Sequence, residues 1–255
     1  MRTRIRIAAA VGVLASASVT GIAVAALAAP ASNDQAAPEP EVLLAHGSDY
    51  LPNVTATDWV TYADHVIVVE AVSEEVIPAS QEEIDRGEGI IGRTVALTIE
   101  DVLWSREGAA KAAPATWDYP AAGWFFKDGD TTDPVEMALA DFPRVEVGHQ
   151  YVMAVRWEKS ICTDDGEYVP AQWRGLGEGS QIPFDDDTLG NGESEGAVQD
   201  AEAFAAAADT GLDQGVEELL AGQGADALVT ALNSAIPDAA AQSEAATFEA
   251  ENACV

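Results

Sequence analysis

The amino-acid sequence predicts a mainly β protein, in which a small antiparallel barrel with short helices precedes an α-helical C-terminal appendage. Residues 65–72 are β-branched and almost continuously apolar, as in a strand buried on both faces or in a barrel wall. Apolar and polar residues alternate over 93–99 and again over 145–157, which is the period of a β-strand. After about residue 196 alanine dominates, aromatic residues nearly vanish, and the apolar spacing becomes helical.

Two of the predicted strands carry an irregularity. The alternation in residues 93–99 breaks at Glu100 and Asp101 and resumes at Val102. A break of this kind indicates a β-bulge, where one strand carries an extra residue. Residues 167–173 predict a further strand, and Pro170 places it at an edge because proline cannot donate to a ladder.

Short helices in the barrel region are predicted from their capping patterns. Residues 57–63 suit one capped helical turn. Ser80 and Glu83 form a capping-box pattern for a helix that stops near Gly87. Residues 133–140 begin with a cap, a proline at the first helical position and a glutamate at the third, so they predict another short helix.

The C-terminal part predicts two short amphipathic helices. Apolar residues have helical spacing in residues 216–220, where Gly222 ends the pattern, and again in residues 228–232, where Pro237 ends it. These helices either dock on the strand-rich body or are held loosely beside it.

Residues 1–31 are typical of an export signal. Arg2, Arg4 and Arg6 precede an uncharged run over 7–29, and small-residue cleavage patterns follow. An uncleaved anchor is the alternative, because about 20 apolar residues suffice to cross a bilayer. Either interpretation predicts export by the general secretory route to the cell surface or the extracellular space.

Composition divides the rest of the chain into three parts. Residues 32–49 contain Pro38 and Pro40 and predict a flexible linker that is acidic and proline-rich. Residues 50–195 carry the strand patterns of the predicted barrel domain, and residues 196–255 form the Ala-rich helical appendage.

The charge of the chain restricts its partners. Lys and Arg number 12 and Asp and Glu 44, so the formal net charge is -32. Nucleic-acid binding depends on basic residues that neutralise phosphates, so we expect none, and we expect membrane contact only through an uncleaved N-terminal segment. Cations and basic proteins remain compatible with this charge, although solubility alone also explains it.

The two cysteines, Cys162 and Cys254, predict one disulfide, because an even count in an exported chain is typical of a disulfide framework. Such a bond would tie the C-terminus to the body. The alternative is a pair of thiols that never come within bonding distance.

An acidic loop over 185–193 is the densest group of oxygen ligands, and calcium is the one cofactor that the sequence suggests. The candidate ligands are Asp185, Asp187, Asn191 and Glu193. An EF-hand is excluded because Leu189 and Gly196 stand where that loop needs oxygen ligands. The alternative is a solvated acidic turn.

A second cluster is aromatic. Trp117, Tyr119, Trp124 and Phe125 surround a proline and a glycine, and exposed aromatic rings can stack on sugars or hold a peptide. The alternative is that these rings serve the hydrophobic core, as aromatic residues usually do.

Three segments resemble the netrin-like variety of OB barrel. Residues 63–72 are similar to its first strand, residues 95–104 to its V-L-x-G strand and residues 147–153 to its G-x-x-Y-L-x strand, in the order also found in exported actinobacterial proteins. The resemblance covers roughly residues 58–175 and implies an OB-like barrel. The family's inhibitors chelate zinc with an N-terminal cysteine, and this sequence has no cysteine near its mature N-terminus.

These observations predict an exported, non-catalytic binding or interaction module for an extracellular protein or glycan. His46, His65 and His149 are too scattered for a zinc site, and we expect the latter two to be structural. The alternatives are an extracellular hydrolase that uses two carboxylates and a structural protein stabilised by calcium.

Overall fold

A computed structural model of the chain describes residues 42–47, 49–162, 168–207 and 214–251. The predicted export signal lies outside the described residues. No helix in the described part is both long and apolar enough to span a bilayer.

The fold is mainly β, as predicted. The strands are β1 (Leu43–Ala45), β2 (His65–Ile77), β3 (Gly89–Ser105), β4 (Thr116–Phe126), β5 (Val135–Leu139), β6 (Gln150–Glu158), β7 (Ile161–Cys162), β8 (Tyr168–Val169), β9 (Gln172–Gly175), β10 (Gln181–Pro183), β11 (Gly192–Ser194) and β12 (Ala197–Gln199). The helices are α1 (Ala56–Tyr62), α2 (Gln81–Arg86), α3 (Ala201–Ala207), α4 (Val216–Leu220), α5 (Ala225–Ser234) and α6 (Ala239–Glu251), and 3₁₀ turns span Glu178–Ser180 and Asp185–Asp187.

Eight strands form one open sheet in the order β1-β5-β4-β3-β2-β6-β10, with β9 also paired to β6. The prediction of a closed barrel is therefore wrong for the described residues. Closure requires the two edges of a sheet to meet in register. Here the path ends at β1 on one side and at β9 and β10 on the other, and these strands have only three or four residues.

The first half of strand β2, residues 65–71, is buried on both faces, as the apolar run over 65–72 predicted. Val66 and Val68 belong to one hydrophobic cluster, whereas Ile67 and Val69 belong to another. The predicted bulge in β3 is also present, because the register with β2 shifts between Val68 and Val69 and leaves Glu100 without an opposite residue.

Helices from both ends of the described chain cover one face of the sheet. The indole of Trp59 in α1 is fully buried and donates to the carbonyl of Asn53 at 2.6 Å. Leu228 and Leu232 of α5 are buried in the same cluster as the strand residue Val66. The two predicted amphipathic helices are thus present as α4 and α5, and they pack on the sheet.

The predicted helix over 133–140 is wrong, because residues Val135–Leu139 form strand β5. This strand pairs with β4 on one side and with β1 on the other. A helix of this length would be marginal in water because nucleation is unfavourable. The hydrogen bonds that β5 makes with β4 and β1 stabilise a strand here more than the capping residues stabilise a helix.

Smaller differences concern the edges of the sheet. Residues 43–45, inside the segment predicted as a linker, form β1 and pair in parallel with β5. The predicted strand over 167–173 is divided at Pro170 into β8 and β9. Cys162 ends β7 in an exposed position, and Cys254 lies outside the described residues, so their disulfide stays a prediction.

The capping box at Ser80 is confirmed. Its hydroxyl accepts from the backbone N–H of Glu83, and the Glu83 carboxylate accepts from the Ser80 N–H at 2.9 Å. Helix α2 ends at Gly87, whose φ of 95° lies in the left-handed region that glycine tolerates.

Two buried arginines join β3, β4 and β5 to the loop before β6. The Arg93 guanidinium donates to the Ala122 carbonyl, to the carboxylates of Glu74 and Glu146, and to the carbonyls of Arg144 and Val145. The Arg144 guanidinium donates to the carbonyls of Met137 and Gly123 and pairs with Glu146. Both guanidinium groups also lie over the Trp124 ring, 5.8 and 5.2 Å from its centroid.

Glu193 completes this network from the other side. Its side chain is buried, and its carboxylate accepts from the backbone N–H groups of Arg144, Val145 and Gly196 and from the Tyr151 hydroxyl. Burial and the nearby Glu193 raise the pKa of Tyr151, so this hydroxyl stays a donor. Val145 has a φ of 59°, which is unusual for a β-branched residue and is held by these bonds.

We expect Glu193→Gln to destabilise the protein by about 3–5 kcal/mol, because it leaves buried donors without an acceptor and removes a negative charge that favours the charged form of the buried Arg144. Chemical denaturation measures this change in the free energy of unfolding. Glu75→Gln, at an exposed position in β2, is the matched control and should change stability by less than about 0.5 kcal/mol. A similar small effect of both substitutions would contradict the assigned role of Glu193.

Candidate ligand-binding cavity

An aromatic cavity of about 490 Å³ lies between β4 and the paired strands β6 and β9. Trp117 and Tyr119 are two residues apart in β4, so their rings project from the same face. Trp157 of β6 and Trp173 of β9 stand directly opposite each other in an antiparallel ladder. Strand alternation and cross-strand pairing together bring four aromatic side chains to one cavity.

The rings support one another by edge contacts. Trp117 and Tyr119 have centroids 5.1 Å apart with planes at 73°, and Trp157 and Trp173 have centroids 5.4 Å apart with planes at 69°. Such edge-to-face arrangements are favourable for aromatic pairs. Trp117 belongs to the second hydrophobic cluster, and Tyr119 and Trp173 pack against that cluster. The walls of the cavity are therefore anchored in the core.

His65 lies behind the Trp173 ring, with 5.5 Å between the two centroids. One of its ring nitrogens is 2.8 Å from the Ser105 hydroxyl, and the other is 2.8 Å from the Lys111 carbonyl. Both nitrogens are thus used inside the protein, and His65 acts here as a support for Trp173.

A hydroxyl and an amide meet inside the cavity. The Gln181 amide nitrogen donates to the Tyr119 hydroxyl at 2.8 Å. Burial raises the pKa of Tyr119, so its phenol remains neutral. This hydrogen bond connects β4 to β10 and orients the Tyr119 ring against the cavity.

Carboxylates lie at the rim. Asp49, Asp118 and Glu178 line the cavity, and the backbone N–H of Glu178 donates to the Asp49 carboxylate at 3.1 Å. Desolvation and the neighbouring Asp49 raise the pKa of Glu178, while His46 opposes this shift. Arg174 also lines the cavity, but its guanidinium pairs with Glu158 at 2.7 Å.

The aromatic residues predicted from the sequence lie in two places. Trp117 and Tyr119 line the cavity, whereas Trp124 lies beneath the buried arginines and Phe125 is half-buried in the ladder between β3 and β5. Trp157 and Trp173 were not among the predicted contacts. The sequence predicted the two strands that carry them, but it does not show that β6 pairs with β9, and this pairing is what brings the two rings together.

The candidate calcium ligands are engaged in several different contacts. Asp185 accepts from the Gln150 backbone and lies 2.5 Å from a ring nitrogen of His149, and Glu193 belongs to the buried arginine network. Asn191 donates to the Asp185 carbonyl at 3.3 Å, and Asp187 is exposed. Within the described ranges, no three or more His, Cys, Asp or Glu side chains form a group that could hold a metal ion. Calcium binding stays a prediction.

A second cavity, of about 540 Å³, is rich in carboxylates. Asp141, Glu195, Glu217 and Glu218 are among the residues that line it. The amide nitrogen of Gln199 donates to the Glu217 carboxylate at 2.9 Å. Burial raises the pKa of Glu217 to about 7, with a smaller contribution from Glu218.

The chain matches no family model, no curated protein and no solved structure.

The raised pKa of Glu217 predicts a pH dependence of stability. Its folded-state pKa of about 7 exceeds the usual 4.5, so the unfolded state loses this proton first as the pH rises. The contribution of Glu217 to the free energy of unfolding therefore falls between those two pH values. The Glu217→Gln variant has no carboxyl at this position, so its free energy of unfolding does not fall for this reason. The difference in free energy of unfolding between the variant and the native chain should therefore shift in favour of the variant by up to about 3 kcal/mol as the pH rises from about 4.5 to about 7.

Thermal or chemical unfolding of both proteins at several pH values measures this difference. Glu82→Gln, which removes an exposed carboxylate from α2, is the control for the change in net charge. If Glu82→Gln altered the pH profile as much as Glu217→Gln does, the effect would come from overall charge and not from the half-buried carboxyl of Glu217.

Proposed function

We propose that the protein is an exported, non-catalytic binding module that holds its ligand in the aromatic cavity between β4 and β9. The observation that carries this proposal is the convergence of Trp117, Tyr119, Trp157 and Trp173 on one cavity of about 490 Å³. Ligand sites are typically concave, mostly apolar and lined by a few polar groups, and this cavity has that character.

The chemistry of the walls favours binding over catalysis. The Tyr119 phenol is neutral and hydrogen-bonded to Gln181, and His65 uses both ring nitrogens behind Trp173. The rings therefore offer contact area, and the amides and carboxylates offer orientation. Export is part of the same proposal and is supported by the N-terminal pattern of basic and apolar residues.

We also propose that this sheet is OB-like and similar to the netrin-like variety. The support is that the three segments that resemble the netrin-like family fall largely in β2, β3 and the region of β6, and these strands are neighbours in the order β3-β2-β6.

Trp173→Ala should weaken ligand binding by at least about tenfold, because buried aromatic anchors usually dominate binding energy. Screening the intact protein on glycan and peptide arrays identifies a ligand, and calorimetry then compares the variants. Tyr168→Ala removes an exposed aromatic ring outside the cavity and should bind like the native chain. Equal binding by the Trp173 variant, with its fold intact by circular dichroism, would contradict the proposal.

The second cavity favours one alternative, an extracellular hydrolase that uses carboxylates. A carboxyl with a pKa of about 7 beside other carboxylates is the arrangement in which one group serves as acid and another as base or nucleophile. Perturbed groups in a cleft are also common at functional sites.

In this alternative, Glu217→Gln should lower kcat/KM on a hydrolysed glycan or ester by about 100-fold or more, because it removes the proton donor. The Glu82→Gln variant should keep the native rate. A substrate panel on which the native protein shows no hydrolysis would remove this alternative and leave the binding proposal in place.

A further inference from the structure

The rim of the aromatic cavity has an excess of negative charge. Asp49, Asp118 and Glu178 line it, and Arg174, the only basic residue that lines it in the described part of the chain, is paired with Glu158. The whole chain carries a formal charge of -32, so its field also favours cations at this opening. An anionic ligand would meet repulsion from the rim and from the rest of the surface.

The aromatic walls of the cavity also favour a positively charged ligand. The faces of Trp and Tyr rings attract cations, and this attraction grows when the cation is removed from water. One example is present within the fold itself, because the Lys111 ammonium lies 5.3 Å from the centroid of the Trp157 ring. Trp157 also lines the cavity, so an aromatic ring of this site already accommodates a positively charged nitrogen.

The hydrogen bonds inside the cavity also favour a cationic ligand over a neutral sugar. A neutral sugar is held mainly by paired donors and acceptors around its hydroxyls, and two of the polar groups that line this cavity, the Gln181 amide and the Tyr119 hydroxyl, are already bonded to each other. A sugar would also leave the like charges of Asp49 and Glu178 uncompensated. An ammonium group would satisfy both the carboxylates at the rim and the aromatic faces within.

We infer that the ligand of this cavity carries an organic ammonium group, either a quaternary ammonium or the side chain of lysine. The inference rests on the proposed function, because it names the ligand class of the same cavity. A volume of about 490 Å³ also leaves room for the chain attached to the charged group.

The test compares choline with dimethylbutanol, its uncharged analogue in which carbon replaces nitrogen, by calorimetry on the intact protein. Choline should bind about tenfold more tightly or better. Glu178→Gln should weaken choline binding by about threefold or more and leave dimethylbutanol unaffected, because only the cation interacts with the rim charge. Glu75→Gln, outside the cavity, is the control and should bind both probes like the native chain.

A lysine amide tested in parallel identifies the source of the ammonium group, since the tighter of the two cations shows which one the cavity fits. Equal affinity for choline and dimethylbutanol would overturn the inference. So would an uncharged or anionic ligand, found on the arrays, that binds the native chain but not the Trp173→Ala variant. The latter result would still support the proposed function. Failure of every probe and of both arrays would overturn the inference and the proposed function together.

Discussion

The structure depends on a buried arrangement of two arginines and a glutamate. Arg93 and Arg144 are two of only 12 basic residues in the chain, and both are buried. The Arg93 guanidinium donates hydrogen bonds to β2, to β4 and to the loop before β6. The Glu193 carboxylate accepts hydrogen bonds from backbone N–H groups of that same loop. Such a network is costly when one member is missing, because the remaining charges stay buried. It therefore favours a single arrangement of the strands over looser alternatives.

This network bears on the cavity through strand β6. The loop it holds includes Val145 in a left-handed conformation and leads directly into β6. Strand β6 pairs with β2, β9 and β10, and with them it brings Trp157, Trp173 and Gln181 toward Tyr119 of β4. The core and the candidate site consequently share one framework. In both places arginine side chains pair with carboxylates of the protein, Arg144 with Glu146 in the network and Arg174 with Glu158 at the cavity.

Much of the local structure was predictable because the relevant signals are short in range. Features formed by neighbouring residues were predicted correctly, namely the strand at residues 65–72, the bulge at Glu100 and the capping box at Ser80. The helix predicted over 133–140 failed for the same reason. Its capping pattern is local, whereas the two ladders that make it a strand come from distant residues. Two of the four aromatic residues that line the cavity, Trp117 and Tyr119, were also singled out from the sequence.

The sequence by itself determined the mainly β character, the strong negative charge and the approximate positions of β2, β3 and β6, since hydrophobic period and composition are properties of the chain. Only the tertiary structure decided that the sheet stays open, that Arg93 and Arg144 are buried, and that Trp157 and Trp173 line one cavity with Tyr119. These features depend on which strands pair and in which register. Pairing is a choice among long-range contacts, and neither the period nor the composition of a single strand specifies its partner.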